Sequence, residues 1–201
     1  MRNSMKKLLT LIPLLFSVSV YASDCKTEFE KENFEKAFEA CTKEAPNGDS
    51  VAQFYLGVMY DKGEGTEEDK QKAFNWYSKS AEQGDSDAQF NLAVLYDDGE
   101  GVEQDKEKAV LWYTKSAEQG DADAQHNLAI MYDEGDGIAQ DKKKAAFWYK
   151  KAADQGKAES MNNLAVMYYE GEGVEKDKAL AKKYLKQACS LGLQIACDNT
   201  L

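Results

Sequence analysis

The side chains best suited to acid–base or covalent chemistry in this 201-residue chain are a single histidine, His126, and four cysteines, Cys25, Cys41, Cys189 and Cys197. One imidazole completes neither a histidine-rich metal site nor a nucleophilic triad. The cysteines form no Cys-x-x-Cys pair, the spacing of dithiol redox centres. Carboxylates crowd the segments YDDGEGVEQD (96–105) and YDEGDGIAQD (132–141), yet they miss the 1, 3, 5 and 12 positions of an EF-hand. The Gly-x-Gly pairs in those segments follow no strand and lack the third glycine and Lys-Thr of a phosphate cradle. The sequence therefore predicts no catalytic residue, no metal ligand and no cofactor.

The elements that would position any site repeat every 36 residues. Tyr60, Tyr96, Tyr132 and Tyr168 keep that spacing, as do Leu56, Leu92, Leu128 and Leu164. So do the pairs Gly63/Gly65, Gly99/Gly101, Gly135/Gly137 and Gly171/Gly173. Residues 85–120 and 121–156 align without a gap at 22 identities, which excludes chance. In one unit Ala88, Leu92, Ala93 and Tyr96 fall on one stripe of a first helix, here helix A. Gly99 and Gly101 break it, and Asp105 is the expected N-cap of a second, helix B. Ala109, Trp112 or Tyr113, Ser116 and Ala117 form the apolar face of helix B, and Gly120 stops it. One such hairpin cannot bury its own apolar face, so the units must stack.

The ends of the chain read differently. Arg2, Lys6 and Lys7 precede the apolar run from Leu8 to Val20, and Val20-Tyr21-Ala22 fits a cleavage site, so residues 1–22 are expected to be a signal peptide. The run is too short to span a bilayer. Asp24 separates Cys25 from the cut, which argues against a lipid-anchored product. Without the leader, 22 Lys and Arg face 36 Asp and Glu, a balance that disfavours nucleic acid and anionic membrane surfaces as partners. Export places the cysteines in an oxidising compartment, periplasmic or secreted, where disulfides are the default. Four cysteines allow three connectivities, of which proximity in sequence favours Cys25 with Cys41 and Cys189 with Cys197.

The pattern A-x-x-x-L-[GA]-x-x-Y-x-x-G-x-G, then D-x-x-K-A-x-x-W-Y and A-x-Q-G, resembles the Sel-one-like repeat, a branch of the tetratricopeptide-like families. The resemblance implies an all-α fold, a right-handed α-solenoid of antiparallel helix pairs. It divides the chain into an N-terminal capping helical segment at 23–47, four repeats over 48–191 and a C-terminal cap at 192–201. The fourth unit departs from the pattern, with Tyr184-Leu185 in place of Trp-Tyr. Some exported, cysteine-clipped members of the family are associated with penicillin binding or β-lactam hydrolysis, which makes a β-lactam- or peptidoglycan-interacting protein the alternative. The only Ser-x-x-Lys here, Ser4 to Lys7, lies in the leader, and Lys-Thr-Gly is absent.

In tetratricopeptide-like solenoids helix A lines the concave face, so the resemblance implies a partner surface there. Four ladders point away from the core stripe: Val51, Phe54, Val58 and Asp61; Asp87, Phe90, Val94 and Asp97; Asp123, His126, Ile130 and Asp133; Glu159, Asn162, Val166 and Tyr169. Apolar middles and acidic ends suit a protein or peptide with apolar anchors and basic flanks. Asn91, Asn127 and Asn163 recur beside the core leucine, where they either bond a peptide backbone or tie neighbouring helices together. The expected product is a monomeric scaffold, not an enzyme, that inserts into no membrane.

Overall fold

The computed structural model describes residues 24–199, so the expected signal peptide lies outside the described residues. A short helix α1 (Asp24–Glu30) turns back on α2 (Phe34–Glu44), followed by a 3-10 turn at Ala45–Asn47. Four helix pairs follow: α3 (Ser50–Lys62) with α4 (Lys70–Glu82), α5 (Ser86–Asp98) with α6 (Lys106–Gln119), α7 (Ala122–Glu134) with α8 (Lys142–Asp154), and α9 (Ala158–Glu170) with α10 (Lys178–Ser190). A five-residue helix α11 (Gln194–Asp198) closes the described chain. Each pair packs on the next in tandem, which makes the architecture an α-solenoid.

Aspartates start the helices. Asp49, Asp85 and Asp121 accept from the amides of Ala52, Ala88 and Ala124, at 2.9, 2.8 and 2.6 Å. Asp69, Asp105, Asp141 and Asp177 do the same for the B helices. Each such cap is worth about 1 kcal/mol. Glycine ends the A helices, with Gly63, Gly99, Gly135 and Gly171 all left-handed at the C-cap.

The second glycine of each pair has an additional cause. A Cβ on Gly101 would stand 2.2 Å from the carbonyl oxygen of Lys70, on Gly137 2.5 Å from that of Lys106, and on Gly173 2.1 Å from that of Lys142. The loop of each unit thus rests on the first residue of helix B in the unit before it, an approach that only glycine permits.

The core follows the expected stripes with one substitution on helix A and one choice settled on helix B. Leu95, 3 % exposed, takes the inward position expected of Tyr96, which is half-buried. On helix B the buried aromatic is Tyr113, 1 % exposed, while Trp112 is half-buried under the Lys115 ammonium, 3.7 Å from its ring. The small residues Ala93, Ala129 and Ala165 are fully buried where the helices approach.

A polar spine that the apolar periodicity does not reveal runs through the same core. Gln53, Gln89 and Gln125 are buried, and each donates to a carbonyl of the preceding unit or cap: Ala45 at 2.9 Å, Ala81 at 3.1 Å and Ala117 at 3.0 Å. Each also accepts from the glutamine 30 residues on, Gln83, Gln119 or Gln155. Buried amides paired in this way fix the register between units, because an unpaired one would be costly. Met161 and Leu191 stand at the corresponding places of the last unit. Disulfides join Cys25 to Cys41, between α1 and α2, and Cys189 to Cys197, between α10 and α11, with Cα atoms 4.7 Å apart in both. The pairing is the one favoured by proximity in sequence.

Candidate interaction face

The A helices place the four ladders in register, one per unit, and the structure assigns their members different tasks. The rings at the second position lie against the tyrosine of helix B in the same unit: Phe54 on Tyr77 at 6.1 Å, Phe90 on Tyr113 at 5.9 Å, and His126 on Tyr149 at 5.8 Å. Those tyrosines are buried, and burial pushes their phenols well above the ordinary range. Phe54, Phe90, His126 and Asn162 are all half-buried, so this row forms the floor of the face. The third row opens along the solenoid: Val58 is buried, Val94 and Ile130 are half-buried, and Val166 is 49 % exposed. Val51, at the other end, is 37 % exposed.

The acidic ends of the ladders are of two kinds. Asp61, Asp97 and Asp133 are engaged by the lysine that opens helix B. Lys70 lies 2.8 Å from Asp61 and 3.1 Å from Glu100 of the next unit. Lys106 pairs with Asp97 and, at 3.2 Å, with Asp136. Lys142 lies 2.7 Å from Asp133 and 3.1 Å from Glu172. Hydrogen bonds to Asp97 and Asp136 hold Lys106 above the usual lysine range despite partial burial. These brackets join one unit to the next, so these aspartates serve the solenoid.

Asp87 and Asp123, at the opposite edge, are exposed. Although Asp87 is largely exposed, partial desolvation and then the Asp85 charge raise its carboxyl above its ordinary value. Asp123 meets Lys157 at 2.6 Å, and Lys157 also lies 3.7 Å from Glu159. In the last ladder Tyr169 replaces the aspartate, and the ammonium of Lys178 stands 4.8 Å from its ring.

Among the repeated asparagines, Asn127 donates to the Tyr113 hydroxyl at 3.1 Å, reaching from one unit to helix B of the unit before, and Asn163, half-buried at the same register one unit on, holds down the rise of the Tyr149 phenol. Asn162 donates to Asn163 at 3.4 Å, and Asn91 is half-buried at the same register. His126 Nδ1 lies 2.7 Å from Ser160 Oγ. This is a serine–histidine contact, but Ser160 is 0 % exposed and out of reach of any substrate. Burial first, then the Lys157 charge, holds the His126 imidazole below its ordinary pKa. Among the described residues no cluster of three or more His, Cys, Asp or Glu has the geometry to hold a metal ion, and no helix is long and apolar enough to cross a membrane.

Tandem antiparallel helix pairs with glycine-ended A helices and a continuous core define a helical-repeat protein. The Sel1 repeat model matches four consecutive segments, 50–85, 86–121, 122–157 and 158–193, and the chain belongs to the Sel1 repeat family. The matched frame begins two residues later than the one read from the glycines. A Sel1 repeat protein from Oxalobacter formigenes is 33% identical with a TM-score of 0.81, over 86% of this chain and 68% of that one. A protective antigen of uropathogenic Escherichia coli strains, displaying an SLR fold, is 32% identical with a TM-score of 0.80, over 86% of this chain. This chain spans 39% of the antigen's length. Helicobacter pylori cysteine rich protein B is 27% identical with a TM-score of 0.52, over 65% of this chain and 94% of that one. No curated protein matches the chain. Sel1 repeats are in general helical scaffolds suited to protein interaction rather than catalysis.

Proposed function

We propose that this protein is an exported, non-catalytic scaffold that binds another protein or a peptide through the face formed by α3, α5, α7 and α9. The observation that carries this reading is the composition of that face. Its rows leave Val51 and Val166 exposed at the two ends, keep half-buried rings in the middle, and set the exposed acids Asp87, Asp123 and Glu159 along one edge. A partner with apolar anchors and basic flanks complements that arrangement. Export is supported by the basic and apolar leader over 1–22 and by the two disulfides, which persist in oxidising compartments. The clipped segments 23–47 and 192–201 act as caps for the terminal units, each of which lacks one neighbour.

The test is capture of partners from an extract by the mature protein, compared with an Asp87→Lys/Glu159→Lys/Val166→Lys variant. All three side chains are exposed, so helicity is expected to stay unchanged while capture is lost. Capture that survives the triple change would remove this face as the binding surface. Incubation with a chromogenic β-lactam is expected to give no turnover above a heat-inactivated control.

A further inference from the structure

Charge is sorted between the two sets of helices. The helices α3, α5, α7 and α9 contain nine acids and one lysine, whereas α4, α6, α8 and α10 contain 15 lysines and four acids. The brackets on Asp61, Asp97 and Asp133 neutralise three residues of each set, and Lys157, at the N-cap of α9, adds one cation shared between Asp123 and Glu159; the A helices remain acidic and the B helices basic. A chain of net charge -11 thus carries a basic layer on its B helices, concentrated on α8 and α10.

On α8 that layer has a particular form. Lys143, Phe147 and Lys151 are spaced at i, i+4 and i+8, which puts them on one stripe about 12 Å long. All three are exposed, Phe147 to 53 %, and the Lys151 ammonium lies 5.3 Å from its ring. Leu111, at the same register of α6, is 51 % exposed, and Lys183 holds that register on α10. This ridge is a helix with an apolar anchor between basic flanks, the chemistry that the A-helix face complements.

We propose that the partner of the A-helix face includes a second copy of this chain, whose α8 ridge seats Phe147 among the ladders with Lys143 and Lys151 against Asp87 and Glu159. The inference rests on the reading of the A-helix face as a binding surface. The two contacting surfaces differ, so the interface is heterologous and one pairing leaves a free face at each end. Assembly then grows with concentration instead of stopping at a symmetric dimer.

Sedimentation velocity of the full mature chain from micromolar to millimolar concentration tests this. The wild type is expected to gain weight-average mass steadily across the range. A ridge variant, Lys143→Glu/Phe147→Glu/Lys151→Glu, and a face variant, Asp87→Lys/Glu159→Lys/Val166→Lys, are each expected to associate at least tenfold more weakly alone. Each retains the surface that the other lacks. Circular dichroism and melting identify folded variants, and Phe147→Ser alone, a milder change at an exposed position, is the substitute if the triple ridge variant fails to fold.

A wild type that stays monomeric throughout overturns the proposal, as does association undiminished in both variants. If self-association is absent while capture from extract still depends on Asp87, Glu159 and Val166, the self-docking fails and the binding face stands. If both are absent, the underlying reading fails with it.

Discussion

The joint between the second and third units and the joint between the third and fourth are built on one frame and held by opposite electrostatics. At the first, Asp121 caps α7 close to Asp87, and partial desolvation raises both carboxyls, with neighbouring aspartates adding to the effect. Gln125 crosses this joint to the Ala117 carbonyl. At the second, Lys157 occupies the cap position without a capping bond and reaches Asp123 instead. Met161 stands where the glutamine would be, and His126 bonds Ser160 across the gap. The shared part, small buried residues and glycine loops, sets the spacing. The polar groups set how each joint responds to its surroundings.

The largest expected effect tests the shared frame. Gly137→Ala and Gly173→Ala act on the two joints through the same contact, with a strained backbone and a clash against Lys106 or Lys142. Each is expected to destabilise by about 3 kcal/mol or more in chemical denaturation. A large disparity between them would show that the frame is not common to both joints.

Gln125→Leu separates the joints. It removes one bond from the Ala117 carbonyl and one from the Gln155 amide, each of which keeps a bond to Gly120, and should lower stability by about 1–2 kcal/mol. Met161→Leu, at the equivalent place, should cost under about 1.5 kcal/mol. Equal losses would place no weight on the polar spine.

Acid divides the joints by sign. The folded-state pKa of His126 is depressed, so its contribution is present above the unfolded value of 6.5 and is lost as pH falls through the folded one. The raised carboxyls Asp87 and Asp121 do the reverse, since the folded state takes up their protons more readily and gains stability as pH falls through their folded values. Hydrogen exchange between neutral and mildly acidic pH should therefore show α9 loosening while α5 and α7 hold. His126→Phe, which copies Phe54 and Phe90, should abolish the acid response of α9. An unchanged pH profile in that variant would sink the assignment.

The smallest effect belongs to Asp87→Asn. It should raise the melting temperature slightly at neutral pH, with the gain shrinking as the medium is acidified. The solvent exposure of Asp87 screens the interaction, which is why the change is small.

The repeat, the caps, the glycine breaks and both disulfides were legible in the sequence because each depends on residues close in the chain or on strict periodicity. Trp112 and Tyr113 could not be told apart, since adjacent residues on a helix straddle the edge of an apolar face and the lysine cover decides. The tasks of Asp61, Asp97 and Asp133 were hidden for another reason. Their lysines also reach an acid 30 residues further on, in a loop whose placement depends on stacking. The glutamine spine was visible as a recurrence but not as an interior feature, because a polar residue in a periodic stripe ordinarily marks the solvent side. The interaction face was legible as a set of positions. Which of its acids are exposed, and which belong to the solenoid, required the packed structure.

The contact between each second glycine and the helix before it has a consequence for how such arrays change length. Gly137 is carried by one unit and its seat at Lys106 by the unit before, so every unit brings both a plug for its predecessor and a socket for its successor. Copying or excising one whole period leaves every plug facing a socket. A partial insertion strands one of them. Selection on that single junction would keep the period at 36 residues while the exposed rows drift, and arrays of different lengths can descend from one another by events at the level of whole units.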